Sequence, residues 1–382
     1  MLSNDWKGID EIVLYGLGLV SERCIHKLIE DFKVPFIIDQ NKKGTAYQGI
    51  PVLSYENVAS LIKRENKKIV VITSQKVYVG IKKTLLKDGM VEFRDFCWVE
   101  QFVIDWYWEN RKQVNIIQVN TAVTTFCTLN CEKCNVFMPY YKERKHYSYE
   151  EMKSDMDLLL KNIDYVFLYM FLGGEPFLNS QLYKIIEYAG ETYSDRIGKL
   201  SITTNAMVMP DENTLQILSK YNVRIVISDY SLVTGYQDRF CKFLKTMKER
   251  KIPYTVNENL EWKDFGFPKR TFDWAGRGTA NLENIRLHMA KCSPLFHGVN
   301  DGRFYYCHIS WSAQKAGLFQ NMEDDYIELG QLDPENMEDR RKLSRFSKGN
   351  IEKGYLELCR YCGGCGEDNQ CYVPVGVQME KD

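Results

Sequence analysis

Short apolar stretches alternate with helical patterns through the first hundred residues of the chain. Three of these stretches, EIVLY at 11–15, VPFIID at 34–39 and KKIVVITS at 67–74, have strand length and are rich in Val and Ile. The segment between the first two, ERCIHKLIEDF, spaces its apolar residues as one face of a helix does. The alternation predicts a parallel α/β sheet in a domain that spans residues 1–105. We predict that the aromatic segment WYWENRKQ after it is an interdomain helix or a linker.

A second alternating series begins near residue 115. Helical patterns separate its five strand-like segments, which are NIIQVNTAVTTF, YVFLYMFL, KLSITTN, NVRIVIS and PYTVNEN. The series predicts a partial (β/α)6 barrel over residues 115–290. After residue 290 the periodicity fades while Gly, Cys and aromatic residues become more frequent, which predicts a small cysteine-bearing domain over 291–382. The fold class is therefore expected to be α/β.

Composition narrows the possible partners. The chain has 382 residues, of which 45% are hydrophobic, enough for two or three domains. Its 50 basic and 51 acidic residues nearly balance, which gives no electrostatic case for nucleic-acid binding. We find neither a basic segment followed by an apolar run at the start nor an apolar run of about 18 residues. We therefore expect a cytoplasmic protein without membrane contact.

Twelve cysteines are unusual for such a protein, because a reducing compartment favours metal ligation over disulfides. Three of them, Cys24, Cys97 and Cys241, are scattered singly. The other nine form a trio (Cys127, Cys131, Cys134), a spaced pair (Cys292, Cys307) and a late quartet (Cys359, Cys362, Cys365, Cys371). The grouping predicts metal centres.

The trio has the spacing C-x3-C-x2-C and directly follows the first predicted barrel strand, at the strand end where barrels place their chemistry. Three thiolates can hold three corners of a 4Fe–4S cube and leave one iron open to a cofactor. A zinc site with a distant fourth ligand is the alternative.

With this motif the sequence resembles the radical S-adenosylmethionine (radical SAM) superfamily. The resemblance implies that the amine and carboxylate of S-adenosylmethionine chelate the fourth iron of the 4Fe–4S cluster. Electron transfer then cleaves the sulfonium to a 5′-deoxyadenosyl radical, which abstracts a substrate hydrogen. It also implies an electron donor of the flavodoxin or ferredoxin type.

Other strand ends fit the same family. The second strand ends in Gly173, Gly174, Glu175 and Pro176, a stretch that in the family hydrogen-bonds the methionine amine. Asn205 and Ser228 end the next two strands, where the family contacts ribose and carboxylate. The residue before the third cysteine is usually aromatic and near the adenine, but here it is Lys133. Val136, Phe137 and Tyr140 are the nearby candidates to replace it.

The later cysteines resemble the SPASM and Twitch extensions, which hold auxiliary clusters. Cys292, Gly302 and Cys307 give their opening C-x9-G-x4-C, whereas the quartet, C-x2-C-x2-C-x5-C, departs from the SPASM spacing. Six cysteines cannot fully ligate two cubes, so we expect one auxiliary 4Fe–4S cluster. Its predicted ligands are the spaced pair with two of the quartet, Cys359 and Cys362 first. A zinc knuckle is the alternative for the quartet, and the neighbouring His308 is either a site residue or an ordinary surface histidine.

The first domain has a glycine motif of its own. Gly16 and Gly18 lie between a strand and a helix, and Asp39 ends the second strand, as in dinucleotide-binding folds, although Ser21 replaces the third glycine. The segment after Asp39 resembles Rossmann-like domains joined to sugar acyltransferases, which implies either contact with a nucleotide-sugar or docking. A purely structural domain is the alternative.

Together these features predict a radical SAM enzyme that abstracts hydrogen from a carbohydrate or nucleotide-sugar. One possible outcome is oxidation of the substrate, in which the auxiliary cluster accepts an electron. The other is epimerisation, in which a thiol such as Cys241 returns a hydrogen to the substrate. The alternative for Cys241 is a role in the buried core. Candidate substrate contacts are Asp229, Tyr230, Glu258 and Arg277, and an ordinary polar surface position is the alternative for each. Modification of a ribosomally made peptide is the closest rival, and a non-catalytic zinc-bearing binding protein is the rival from another class.

Overall fold

The computed structural model describes residues 2–230, 236–258, 261–266, 281–292 and 297–379. The chain forms two compact units. The first comprises Met1–Ile117 with Ile163–Phe167, and the second comprises Gln118–Asn162 with Leu168–Asp382. No helix among the described residues is long and apolar enough to cross a membrane.

The first unit is built on a six-stranded sheet. Its strands are β1 (Val13–Tyr15), β2 (Ile37–Ile38), β3 (Ala46–Tyr47), β4 (Ile50–Leu53), β5 (Ile69–Val71) and β6 (Phe96–Trp98), and its helices are α1 (Ser21–Asp31), α2 (Tyr55–Arg64), α3 (Gln75–Lys87) and α4 (Val99–Arg111). The strand order is β3-β4-β2-β1-β5-β6, and every pair is parallel except the β3–β4 hairpin. The predicted parallel sheet is confirmed here, and its Val- and Ile-rich strands are buried because helices connect them.

Helix α4 contains most of the aromatic segment that the sequence predicts to be a helix or a linker between domains. Trp106 lies edge-on against Phe32, with ring centroids 4.5 Å apart. Its indole nitrogen donates to the carbonyl of Trp6 at 3.0 Å. These contacts make α4 a core element of the first unit, so this unit continues beyond residue 105.

The second sheet has eight strands. They are β7 (Asn115–Thr124), β8 (Tyr165–Gly173), β9 (Leu200–Thr204), β10 (Arg224–Ser228), β11 (Tyr254–Asn257), β13 (Gly298–Asn300), β14 (Arg303–Tyr305) and β15 (Tyr326–Glu328). A separate antiparallel ladder joins β12 (Glu261–Lys263) to β16 (Tyr372–Pro374). The remaining helices are α5 (Tyr149–Asn162), α6 (Leu182–Thr192), α7 (Glu212–Lys220), α8 (Tyr236–Glu249), α9 (Leu282–Lys291), α10 (His308–Lys315) and α11 (Met337–Ser347).

The strands of this sheet lie in the order β11-β10-β9-β8-β7-β13-β14-β15. The five strands predicted from the sequence are all present as β7 to β11, and the mixed α/β class is confirmed. After β11, the next described strand of this sheet is β13, which pairs in parallel with β7 through Gly298 and Asn120. Strands β14 and β15 then extend the sheet in antiparallel fashion. Part of the segment that the sequence predicts to form a small separate domain, β13 to β15, therefore continues the central sheet.

Candidate cluster and cofactor site

The trio lies in the loop after β7. The amide of Cys134 donates to the carbonyl of Cys131 at 3.2 Å, and that of Phe137 to the carbonyl of Cys134 at 3.0 Å. These turns fold the loop back on itself, so its three sulfur-bearing residues face one cavity of about 220 Å³. The cavity is lined by Cys127, Leu129, Cys131, Cys134, Asn135, Val136, Met138, Leu172, Gly173, Gly174, Thr203, Thr204, Asn205, Ser228, Tyr230 and Trp262. The ends of four successive parallel strands, β7 to β10, therefore contribute to one site.

Glycine is required where β8 meets β7. The amide of Gly174 donates to the carbonyl of Thr124 at 3.0 Å, and that of Glu175 to the carbonyl of Phe126 at 2.8 Å. A Cβ on Gly173 would lie 2.2 Å from the Thr124 carbonyl oxygen, and one on Gly174 would lie 2.0 Å from that of Phe126. Only residues without a side chain allow this approach, which leaves backbone exposed in the cavity wall.

Glu175 lies behind the cavity wall. Its side chain is completely buried, and its carboxylate accepts hydrogen bonds from the Thr204 hydroxyl at 2.8 Å and the Asn205 amide at 2.9 Å. Burial raises its pKa to about 7. The carboxylate therefore ties the end of β8 to the end of β9, while Pro176 begins the short helix that follows.

Asn205 and Ser228 lie at the cavity edge. The Asn205 side-chain nitrogen donates to the Thr128 hydroxyl at 3.1 Å and approaches the sulfur of Cys127 at 3.6 Å. The hydroxyl of Tyr236, on α8, donates to the carbonyls of Asn205 and Ser228. This buried tyrosine, which the sequence gave no reason to single out, joins the ends of β9 and β10.

Two aromatic side chains also line the cavity. The sequence identifies Tyr230 as a candidate substrate contact, whereas Trp262, from β12, was not predicted. Their rings meet edge to face, with centroids 5.6 Å apart. Trp262 lies in a segment without periodicity, so nothing in its sequence neighbourhood marked it.

Lys133, the residue that departs from the family pattern, points to an acidic partner. Its ammonium lies 3.5 Å from a carboxylate oxygen of Asp264, whose side chain is only 7% exposed. The Asp264 amide in turn donates to the carbonyl of Cys371 at 2.9 Å. Lys133 thus links the trio loop to the segment that bears the late quartet. Val136 lines the cavity, whereas Phe137 packs in the apolar cluster beside it.

The electrostatics of the trio suit a cationic ligand. Burial raises the pKa of Cys127 to about 12 and that of Cys131 to about 11. Thiolates in such a site require positive charge nearby, which iron ions would supply. Within the described residues, no three His, Cys, Asp or Glu side chains are grouped as tightly as a single metal ion requires. The three thiols, the glycine-lined wall and the cavity together fit a larger group such as a cluster with its cofactor.

The spaced pair and part of the quartet come together elsewhere in the second unit. The sulfurs of Cys292 and Cys365 are 3.4 Å apart. The hydrogen bond with Cys365 lowers the pKa of Cys292. Burial raises the pKa of Cys359, and the charges of Cys292, Cys362 and Cys307 add to this effect, so these cysteines are neighbours. Cys371 directly precedes β16.

Two histidines near these cysteines are buried. Nδ1 of His288 lies 2.7 Å from the carboxylate of Asp368, and a Cβ on Gly364 would lie 2.9 Å from its Nε2. His308 stacks on Trp311 with ring centroids 4.7 Å apart, and its Nε2 bonds Asn300 at 2.8 Å. The surface alternative for His308 is therefore wrong. The histidine packs in the core instead.

The remaining candidate residues do not line the cavity. Cys241 is exposed on α8, where the Gln237 side chain lies 3.8 Å from its sulfur, so the buried-core alternative for it is wrong. Asp229 is half-buried and its amide donates to the carbonyl of Asn257, while Glu258 is exposed beyond β11. Arg277 lies outside the described residues.

The glycine motif of the first unit forms a closed loop. Gly16 has φ +114°, and a Cβ there would lie 2.4 Å from the Thr73 side chain. The Asp39 carboxylate accepts from the amides of Leu17 at 2.7 Å, Asn41 at 2.9 Å and Lys42 at 3.0 Å. Gly18 lies in open space, with nothing near its would-be Cβ. Asp39 therefore stabilises the conformation of the glycine loop through hydrogen bonds to its backbone.

Comparisons with known proteins agree with the family that the C-x3-C-x2-C motif of the trio indicates. Residues 121–273 match the model of the radical SAM superfamily. An uncharacterized protein of Methanocaldococcus jannaschii is 33% identical over 107 residues, which are 28% of this chain and 36% of the relative. The matched part thus spans little more than a third of that relative.

Several solved structures are similar to this chain at low identity. SuiB of Streptococcus suis bound to S-adenosylmethionine is 23% identical with a TM-score of 0.28, over 37% of this chain and 31% of that chain. BtrN in complex with AdoMet and 2-DOIA is 19% identical with a TM-score of 0.39, over 69% and 95%. Native anSMEcpe with bound AdoMet and a peptide is 14% identical with a TM-score of 0.40, over 64% and 83%. Scores this low support no argument, so the likeness to the radical SAM superfamily rests on the family model that residues 121–273 match.

Proposed function

We propose that the chain is a radical SAM enzyme with one auxiliary 4Fe–4S cluster and a carbohydrate or nucleotide-sugar substrate. The observation that supports this best is the convergence of the three trio cysteines with Gly173, Gly174, Asn205 and Ser228 around one cavity. These residues come from four strand ends that are far apart in sequence, and each matches a position that the family uses.

Each wall of the cavity has a role in this proposal. Cys127, Cys131 and Cys134 hold the cluster. The backbone carbonyls at Gly173 and Gly174 accept hydrogen bonds from the methionine amine. Asn205 and Ser228 bind the ribose and carboxylate. When bound, the cluster and S-adenosylmethionine supply a 5′-deoxyadenosyl radical that abstracts hydrogen. The protein orients the cofactor and excludes water.

Trp262 and Tyr230 supply the aromatic surface for the adenine. The family's usual aromatic position is occupied by Lys133, whose side chain is engaged with Asp264 rather than with the cavity. Trp262 and Tyr230 both line the cavity, and an aromatic face can stack on a nucleobase with about 1–3 kcal/mol. In this proposal the adenine is held by Trp262 of β12 and by Tyr230 after β10 rather than by the trio loop.

The auxiliary cluster is assigned to Cys292, Cys307, Cys359 and Cys365. The contact between the sulfurs of Cys292 and Cys365 favours Cys365 over Cys362. The sulfur of Cys362 instead accepts a hydrogen bond from the Gly364 amide at 3.3 Å. Serine substitution of Cys365 should remove about four of about eight irons per chain, whereas substitution of Cys362 should remove none. Equal iron loss in both variants would contradict the assignment.

Oxidation of the substrate fits this arrangement better than epimerisation. Cys127, Cys134, Cys307 and Cys365 all pack against one apolar cluster, which contains Phe137, Met138, Phe265, Ile309 and Leu358. An apolar cluster that both cysteine groups contact would suit electron transfer from a substrate radical to an auxiliary cluster held by the later cysteines. Cys241, the candidate hydrogen donor for epimerisation, is exposed and does not line the cavity.

The first unit supports the choice of substrate class. Without β3, its parallel strands lie in the order third, second, first, fourth, fifth along the chain, which is the order of a Rossmann-type sheet. We assign it as a Rossmann-like domain that binds a nucleotide-sugar beside Gly16 and Gly18, in a loop shaped by Asp39. Modification of a ribosomally made peptide is the second candidate.

Anaerobic reconstitution tests the central claim. The protein should bind about eight irons and, with dithionite and S-adenosylmethionine, should release 5′-deoxyadenosine. Replacement of Cys134 by serine should abolish that release, while replacement of the exposed Cys241 should not. Zinc without iron would contradict the proposal and favour a binding protein.

Deuterium labelling tests the substrate and the outcome. Nucleotide-sugars deuterated on the sugar ring should transfer deuterium into 5′-deoxyadenosine, and the product should lose hydrogen mass if the reaction is an oxidation. Solvent deuterium in a product of unchanged composition would indicate epimerisation instead. Transfer from a deuterated peptide, but from no nucleotide-sugar, would favour the second candidate.

A further inference from the structure

Residues Gly376–Met379, which the sequence analysis did not single out, lie along the trio loop. The amide of Glu132 donates to the carbonyl of Val377 at 2.8 Å, and the amide of Met379 to the carbonyl of Asn130 at 2.7 Å. Between these two bonds, Cys131 and Gln378 form an antiparallel bridge. The middle cysteine of the trio is thus paired on its backbone with a segment that follows β16.

The side chain of Gln378 completes this contact. Its Oε1 accepts from the amide of Asn130 at 2.6 Å. Its Nε2 donates to the carbonyl of Gly376 at 2.7 Å and to the sulfur of Cys131 at 3.3 Å. Because an amide N–H must face oxygen and a carbonyl must face N–H, these partners fix the orientation of the carboxamide. An N–H donor therefore points at the Cys131 sulfur.

The segment is also held from its other side. Gly376 has φ +70°, and a Cβ there would lie 3.1 Å from the ring of Tyr230, which lines the same cavity. Gln378 is thus supported by the backbone of the trio loop and by close packing beside the cofactor site.

We propose that Gln378 is a positioning residue for the radical cluster that fixes the Cys131 thiolate and raises the cluster's reduction potential. This inference rests on the proposed function. An N–H donated to a ligating sulfur stabilises negative charge, and the reduced cluster has one more negative charge than the oxidised cluster. The hydrogen bond therefore favours the reduced form. It also restrains the sulfur when the iron is lost.

The test compares three variants of the full-length, anaerobically reconstituted protein. Gln378→Leu keeps the size of the side chain but removes the donor. Gln378→Glu keeps an acceptor for the Asn130 amide, removes the donor and adds negative charge. Val377→Ala is the matched control, because the Val377 side chain is exposed and its backbone bond remains. The readouts are an EPR-monitored redox titration of the signal that S-adenosylmethionine perturbs, and the rate of iron release to a chelator.

We expect the potential to become more negative in Gln378→Leu and still more negative in Gln378→Glu, with Val377→Ala unchanged. Iron release should be roughly tenfold faster in both Gln378 variants. Unchanged potential and unchanged iron release in both, with wild-type thermal stability, would overturn the inference while leaving the proposed function intact. A wild-type protein without any signal that S-adenosylmethionine perturbs would overturn both.

Discussion

Replacement of Gly174 by alanine should push apart the two strand ends that form the glycine-lined wall. The added methyl would lie 2.0 Å from the carbonyl oxygen of Phe126, 2.5 Å from its carbonyl carbon and 2.9 Å from the Cβ of Cys127. Two of these three atoms belong to the backbone of the segment that leads into the trio, so they cannot rotate away as a side chain could. The strand ends must separate instead, and Cys127 must move with them.

The size of the effect follows from these distances. Raising the shortest contact to 3.0 Å requires a shift of about 1 Å in the backbone. Forced shifts of this kind in packed regions cost about 1–3 kcal/mol, and contacts with backbone belong at the upper end. With about 2.1 cal/mol/K of unfolding entropy per residue, the 382-residue chain loses about 1.2 °C of Tm for each kcal/mol, so a loss of about 3 kcal/mol lowers Tm by about 4 °C.

Thermal unfolding followed by circular dichroism, together with iron analysis, measures the outcome. Gly330→Ala is the matched control in the same unit, since Gly330 has no atom within 4 Å of the new methyl and no positive φ. Gly174→Ala should also bind less iron, because Cys127 is displaced. If both variants unfolded at the same temperature and bound the same iron, the argument from the close approach of the strands would be refuted.

Three further changes probe the same region. Burial raises the pKa of Glu175 to about 7 from its ordinary 4.5, so the folded state binds its proton more tightly. That stabilisation is complete below about pH 4.5 and is lost as the pH rises through 7. Glu175→Gln should therefore remove this pH dependence of the free energy of unfolding, as measured by urea denaturation. Lys133→Met should lower the free energy of unfolding by about 1–2 kcal/mol, because the buried carboxylate of Asp264 loses its cation, whereas Lys133→Arg should retain most of it. Trp262→Ala should weaken S-adenosylmethionine binding at least about fivefold by calorimetry on reconstituted protein, with Trp262→Phe close to wild type.

Much of the candidate site could be predicted because parallel strands end at the same edge of a sheet. The trio, Gly173, Asn205 and Ser228 each follow a recognisable apolar run, so their convergence follows from the order of the strands. Trp262, Gln378 and Asp264 could not be predicted in this way. They come from short segments without periodicity. Trp262 reaches the cavity from β12, and long-range contacts bring Gln378 and Asp264 to the trio loop.

The late quartet shows that cysteine spacing alone cannot identify the ligands of a cluster. Its first three cysteines repeat the same C-x2-C spacing, so Cys359 can be paired equally well with Cys362 or, through one more turn, with Cys365. Only the approach of Cys365 to Cys292 distinguishes them, and that contact depends on how α9 meets the quartet loop. Spacing alone does not contain this information.

The bridge between Cys131 and Gln378 has a consequence for biogenesis. The two residues are 247 positions apart, and at about 5–20 residues per second a ribosome needs about 12–50 s to synthesise the chain between them. During most of that time the trio is outside the ribosome, but its loop lacks the segment Gly376–Met379 that pairs with Cys131. We therefore expect iron–sulfur delivery to this protein to follow translation, and expression under air to damage nascent chains more than finished ones.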